Sequence, residues 1–249
     1  MRNPFFPGVG GVLSADIAVP EHERELSFYA QVMTTGPTPR WRDDLTNNNG
    51  TPVIGLGERV PAYESIPLQW MPHFQVADVA DSAKQCLELG GEELMHGRAD
   101  DGQSQWAVLV DPAGAAFGVI PAVDEATLDP KSFDGCGRIS WLSLAAADVA
   151  STCTFYERVV GWSAAPPASD GGCEMRCPSG VAAADIGPVN DDQAEIPAVW
   201  ILSLPVGDLA ESLRRARDAG GEVLWSDDGA GRAVIRDVVG VCIGLQSDG

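Results

Sequence analysis

With 249 residues, 45% of them hydrophobic and 21% charged, the chain has the composition of one large or two ordinary globular domains, not of a disordered protein. Its 16 Lys and Arg against 36 Asp and Glu leave a net charge of −20, which disfavours nucleic acid and anionic membrane surfaces as partners, because both repel an acidic protein. No apolar run is long enough to span a bilayer, and no apolar signal segment follows Arg2, so a cytoplasmic location is expected.

In chain order, the first predicted strand is Val12 to Val19, followed by a helix from Pro20. Proline suits the first helical position, and Glu21, Glu23 and Glu25 favour the positive end of the helix dipole. Leu26, Tyr29, Ala30 and Met33 recur at helical spacing, which predicts that this stripe is buried. A polar stretch from Asp43 leads into strand-like residues ending at Gly57. The second segment opens with Trp70-Met71-Pro72-His73-Phe74-Gln75-Val76-Ala77-Asp78, a strand running into a helix N-cap. Its helix would bury Val79, Ala83, Cys86 and Leu87 and end at Gly90-Gly91. Strands are expected at Glu92–Met95, Trp106–Val110 and Ala116–Ile120, the last two joined through the turn Asp111-Pro112-Ala113-Gly114. Asp124 to Gly137 lacks periodicity and reads as a linker.

The second half repeats the plan. Arg138 to Ala145 is a strand, followed by a helix capped by Asp148 with Val149, Cys153, Tyr156 and Val160 inward. Trp200 to Val206 is a strand, followed by a helix capped by Asp208 with Leu209, Leu213 and Ala216 inward, ending at Gly220-Gly221. Landmarks recur in order: Phe28-Tyr29 with Phe155-Tyr156, Gly90-Gly91 with Gly220-Gly221, and Asp111 and Gly114 with Asp237 and Gly240. The six cysteines, Cys86, Cys136, Cys153, Cys173, Cys177 and Cys242, show no zinc spacing and are expected to be reduced and mostly in the core, although Cys173 and Cys177 could approach one another.

The recurring landmarks, from Val19-Pro20 through Phe28-Tyr29, Val76-Ala77-Asp78-Val79 through Gly90-Gly91, and Asp111-Pro112-Ala113-Gly114-Ala115-Ala116-Phe117 with their second-half partners, resemble the vicinal oxygen chelate superfamily of glyoxalases, bleomycin-resistance proteins and extradiol dioxygenases. The resemblance covers nearly the whole chain. It implies an α+β fold of four βαβββ units, paired into two cup-shaped domains. The first would span residues 1–123 (units 12–57 and 70–121). A linker at 124–137 leads to the second at 138–249 (units 138–187 and 198–246). Metal-dependent members place a His on a unit's first strand and a Glu on its last. Those positions fall on Ser14, Met71, Trp141 and Ile201, and on Gly118 and Gly244, none a usual ligand. The resemblance therefore implies that both cups have lost a metal centre, and the two glycines suggest that the vacated space holds something bulkier.

Strand alternation decides which residues would enter the cups. Ser14, Asp16 and Ala18, with Met71, His73 and Gln75, would enter the first; Phe74 and Val76 would pack under the helix. Trp141, Ser143, Ala145, Ile201, Ser203 and Pro205 would line a second, apolar cup. His73 and Asp16 are the candidate acid–base pair, since imidazole titrates near neutral pH and a carboxylate can orient it. Asn47, Asn48, Gln75 and Gln105 are candidate hydrogen-bonding groups toward substrate. Ser104 and Trp106 are expected to share the cup face of their strand, Trp106 as a stacking wall, with Trp41 in a lid and Gly118 opening space. His22 reads as an exposed helix residue and His96 as part of a Gly/Asp-rich loop. The function expected is a metal-independent acid–base enzyme of secondary metabolism, catalysing cyclisation, dehydration, ketal formation or isomerisation of an oxygen-rich aromatic or polyketide-like molecule. The alternative is a protein that sequesters a drug or metabolite. No metal or other cofactor is expected, although the resemblance leaves a flavin-type or deazaflavin cofactor open. The partner would be a small molecule, with the protein a monomer or homodimer.

Overall fold

The computed structural model describes residues 6–37, 39, 41, 54–124 and 137–247. In the first half the elements are β1 (Val12–Val19), α1 (His22–Met33), β2 (Ile54–Glu58), β3 (Met71–Val76), α2 (Val79–Glu88), β4 (Glu92–Arg98), β5 (Ser104–Val110) and β6 (Ala116–Pro121). The second half holds β7 (Trp141–Ala146), α3 (Val149–Val160), β8 (Ser163–Ala164), β9 (Cys173–Arg176), β10 (Ala182–Pro188), β11 (Ile201–Val206), α4 (Leu209–Asp218), β12 (Glu222–Asp227), β13 (Arg232–Arg236) and β14 (Cys242–Ser247). They form an α+β fold of two mixed sheets, ordered β2-β1-β3-β6-β5-β4 and β12-β13-β14-β11-β7-β10-β9-β8. Units two to four show complete βαβββ order; the first shows βαβ among its described residues. No helix among the described residues is long and apolar enough to cross a membrane.

One rule builds both sheets. A unit's first strand runs parallel to its last, as β3 does to β6 and β11 to β14, and antiparallel to the first strand of its partner unit, as β1 does to β3 and β7 to β11. Parallel neighbours need a crossover, and the helix supplies it. Three of the crossover helices are capped as expected: the Asp78, Asp148 and Asp208 carboxylates accept from the backbone N–H of Asp81, Ser151 and Glu211 at 2.9, 3.0 and 2.9 Å. The first helix begins at His22 rather than Pro20, with Glu21 at the N-cap and no side-chain cap. Its buried stripe is Glu25, Phe28, Tyr29, Val32 and Met33, so Leu26 and Ala30 lie at the margin instead of the centre. In α2, Ser82 takes an inward place and Leu87 is 53% exposed.

The helices join the two domains. Helix α1 packs on α4 and α2 on α3, and one hydrophobic core runs through both halves. Two reciprocal hydrogen-bond relays cross this junction. Trp70 Nε1 donates to the Tyr29 hydroxyl at 3.1 Å, which donates to Asp237 Oδ2 at 3.0 Å. Trp200 Nε1 donates to the Tyr156 hydroxyl at 2.9 Å, which donates to Asp111 Oδ2 at 3.0 Å. Each aspartate's Oδ1 is bound by two N–H groups of its own hairpin turn: Ala113 and Ala115 at 2.9 Å each for Asp111, Val239 at 3.1 Å and Val241 at 2.8 Å for Asp237. Burial, reinforced by the adjacent carboxylate, pushes both phenols well above their ordinary pKa. The backbones meet closely as well: a Cβ on Gly36 would lie 2.7 Å from the backbone of Gly207, too close for any side chain.

Two expectations change here. Cys173 does not reach for Cys177: its sulfur faces that of Cys153, which α3 and β9 bring close to it in the core. Trp41 belongs to no lid: it is 5% exposed and stacks on Tyr29 with ring centroids 5.7 Å apart, an apolar ring finding more contact under α1 than at a cavity mouth.

Replacing Tyr29 or Tyr156 by Phe keeps the ring and strands a buried indole N–H and a carboxylate oxygen. Each substitution is expected to lower stability by ~1–3 kcal/mol, read as a shifted urea midpoint at unchanged slope. Unchanged midpoints would remove the relays from the account of the interface.

Candidate functional site

The inner faces of β1, β2, β3, β5 and β6 enclose a cavity of about 550 Å³. Its walls are mainly apolar, with Leu56, Ile66, Met71 and Met95 among them, and Tyr63 and Trp106, 38% and 40% exposed, are its aromatic residues. The antiparallel register of β1 and β3 sets Ser14 opposite His73 and Asp16 opposite Met71, so three polar side chains converge. His73 Nδ1 lies 2.8 Å from Ser14 Oγ, and its Nε2 lies 3.3 Å from Asp16 Oδ1. Asp16 and His73 line the cavity; Ser14, only 6% exposed, stands behind the ring.

Two opposed effects act on the imidazole. Burial lowers its pKa, because a desolvated cation is disfavoured; the charge of Asp16 and its hydrogen bond raise it. The carboxylate prevails, and His73 sits above its ordinary value.

Gly118 makes room for the ring. It pairs with His73 across β3 and β6, and a Cβ there would lie 2.5 Å from His73 Cδ2. The vacated position is thus filled from within the protein, and not by something bulkier from outside. At Gly244 the same holds: a Cβ would meet Ser203 Oγ at 2.6 Å. Nor do the described residues fit a metal centre of the kind the fold family implies. Such a centre converges three or four nitrogen or oxygen ligands, whereas no group of three or more His, Cys, Asp or Glu side chains among the described residues is placed to hold a metal ion.

The sequence-predicted residues divide into those at the cavity and those elsewhere. Asp16, Met71, His73, Gln105, Trp106 and Gly118 line it. Asn47 and Asn48 lie outside the described residues. Gln75 has a structural job instead: its Oε1 accepts from the N–H groups of Gly8 and Val123 at 3.0 Å each, and its Nε2 donates to Phe6 O at 2.7 Å and Gly11 O at 3.3 Å. The segment before β1 closes over that end of the strand, so the inward position is fully buried by backbone.

Ser104 leaves the cup because of a β-bulge. Gly97 pairs with Trp106 and Arg98 with Ser104, which leaves Gln105 as the extra residue. One inserted residue reverses the side-chain parity beyond it, so Gln105 lines the cavity and Ser104 instead meets His96 Nε2 at 2.8 Å and Arg98 at 3.1 Å. His96 also contacts Glu93 at 3.0 Å and lies within β4, not in a loop. His22 is tied to Leu56 O at 3.0 Å.

Sequence reasoning missed Glu58, Tyr63, Ile66 and Met95 as lining residues. It also misjudged the second cup, a cavity of about 590 Å³ that is far from apolar. Asp170, Glu174, Asp185, Asp227 and Arg232 line it, and Trp141 Nε1 donates to Asp185 Oδ2 at 2.8 Å. These groups come mostly from later strands of each unit and their loops, whereas the expectation counted only the first strands.

The family model described as a glyoxalase-like domain matches residues 14–120 and again 141–243. Comparison with curated protein sequences returns no match. Among solved structures, the Mn(II)-bound glyoxalase from Novosphingobium aromaticivorans is 15% identical, with a TM-score of 0.55 over 98% of this chain and 83% of that one. The 2,2',3-trihydroxybiphenyl 1,2-dioxygenase from Sphingomonas wittichii strain RW1 is 14% identical, with a TM-score of 0.55 over 98% of this chain and 91% of that one. At these identities the likeness is one of fold. With its two matched regions, each centred on a pair of parallel-closed units, the chain belongs to the glyoxalase-like domain family of the vicinal oxygen chelate superfamily.

Proposed function

We propose that the first cup is an acid–base active site that works without a metal on an oxygen-rich aromatic or polyketide-like small molecule. The reactions that suit it are proton transfers: cyclisation, dehydration, ketal formation or isomerisation, of the kind used in secondary metabolism. One observation carries this reading: the Ser14–His73–Asp16 chain stands at the wall of a cavity large enough for such a molecule, with the imidazole held above its ordinary pKa by a carboxylate that also faces the cavity. A titrating pair within reach of a substrate is what general acid–base catalysis requires. The walls are mainly apolar, and Trp106 offers a ring a stacking surface. On this reading the protein acts in the cytoplasm as a monomer or homodimer, without a cofactor.

A second reading, capture of a ligand without turnover, is favoured by the second cup, where Trp141 and Trp225 stand among carboxylates with no imidazole. Incubation with a panel of oxygenated aromatics and polyketides, with products followed by mass spectrometry, separates the two. Turnover that falls by roughly 10²- to 10⁴-fold in the double variant Asp16→Asn/His73→Ala supports the acid–base site. Binding throughout the panel with no product in the wild-type protein supports capture.

Two further outcomes follow from the local geometry. Gly118→Ala is expected to displace the His73 ring and to reduce turnover while the protein still folds, because the methyl group meets a side chain and not backbone. Circular dichroism and rate together check it. Asp16→Asn should drop the His73 pKa below its ordinary value, since burial then acts with no opposing charge; an NMR titration reads this directly. The linked stability has a definite sign. In the wild-type protein the folded-state value is raised, so the pair's contribution is fully present below the unfolded imidazole pKa and fades as pH rises through the folded one.

A further inference from the structure

We infer that Asp16 Oδ2 is the atom that exchanges a proton with the substrate, and that His73 is a positioning residue acting through Asp16. The inference rests on the first cup being the acid–base site and assigns the roles within it.

The lone pairs of the two side chains set their roles. A neutral imidazole has one N–H and one acceptor nitrogen, and which is which follows from their partners. An ionised carboxylate only accepts. With Asp16 Oδ1 at 3.3 Å, Nε2 must therefore carry the proton and donate it. Nδ1 is left with the lone pair, and Ser14 Oγ, which can donate or accept, sits 2.8 Å away and fills it. Ser14 is nearly buried and stands behind the ring, so this lone pair points away from the substrate. Neutral His73 accordingly presents no basic nitrogen to the cavity. When the ring is protonated both nitrogens donate, Nε2 to Asp16 and Nδ1 to Ser14, and neither is free.

Asp16 differs on each count. Its side chain is 40% exposed and lines the cavity, Oδ1 takes the imidazole, and Oδ2 has no partner among the described residues. The step then balances simply. A substrate C–H or O–H proton passes to Oδ2, the electron pair stays on the substrate, and the Nε2–H bond to Oδ1 holds the carboxyl in place. The proton returns to another substrate atom, or to a leaving oxygen, from the same Oδ2. Gly118, by admitting the ring edge, and Ser14, by holding Nδ1, fix the ring so that Nε2 faces Asp16.

The test reads the tautomer without requiring a substrate. The chain has three histidines, so the His73 ring nitrogens are assigned in a long-range ¹H–¹⁵N spectrum by their loss in His73→Gln. Above the His73 titration the ring is expected in the Nε2–H form; the Nδ1–H form, which would put a free lone pair at Nε2, overturns the inference whatever the protein's activity. In turnover, His73→Gln, whose amide N–H can replace Nε2–H, is expected to keep the rate within about tenfold, while His73→Ala and Asp16→Asn lose at least 10²-fold. A Gln variant as inactive as the Ala variant would return the proton-transfer role to His73. Absence of any turnover in the wild-type protein defeats the acid–base reading itself, and with it this assignment, even where the tautomer is as expected.

Discussion

Each of the two buried tyrosine hydroxyls has its hydrogen-bond donor in one domain and its acceptor in the other. Tyr29 takes the indole N–H of Trp70 and gives its proton to Asp237; Tyr156 takes that of Trp200 and gives its proton to Asp111. A buried phenol or indole without a partner costs about 1–3 kcal/mol, so four large side chains are affordable in the core only because two hairpin turns of the opposite domain reach in. The turns are in turn shaped by the same aspartates, whose second oxygens bind the turn's own N–H groups. Turn geometry, aromatic packing and domain pairing are thereby one constraint. The junction departs from symmetry at Glu25. Glu25, beside Asp237, is fully buried, and burial foremost, with Asp237, pushes it up to about 10. The corresponding place in α3 is Thr152, whose hydroxyl bonds the Asp148 carbonyl of its own helix.

The sheets owe their cups to this arrangement. With the helices committed to the junction, the opposite face of each sheet is free to curve around a cavity. The two cups, about 550 and 590 Å³, are close in size yet differ in chemistry. The first holds a single charge-linked pair against apolar walls; the second holds several carboxylates and a tryptophan bonded to one of them. Such divergence is easy in a repeated fold, because side chains on the inner face are not used to hold the repeats together.

Much of this was legible in the primary structure, for reasons that are themselves physical. Helix caps at Asp78, Asp148 and Asp208 depend on local chemistry, and the turns at Asp111 and Asp237 likewise, so they could be read directly. Strand alternation placed Asp16 and His73 together because β1 and β3 pair without interruption there. It failed at Ser104, where a bulge inserts one residue, and at Gln75, where a distant segment covers the strand end. Neither a bulge nor a covering segment leaves a periodic signal. The first helix was misread by one residue because a buried glutamate, Glu25, stands where an apolar side chain would have marked the inward stripe. Trp41 was misplaced because an aromatic residue in a loop carries no sign of whether it turns toward a cavity or, as here, toward Tyr29.

The relays have a bearing on how such a chain can be divided. A stretch rich in charge and glycine between two similar halves looks like a seam, and a duplicated architecture invites the thought that either half is a module in its own right. Here the seam is only topological. Each half carries the acceptor that the other half's tyrosine requires, and closure of the cup that holds His73 belongs to a body whose aromatic centre is shared. Separating the halves would therefore not yield two smaller versions of this protein; it would yield two incomplete ones, and a graft of the first cup onto another scaffold would have to bring Asp237 and its turn along.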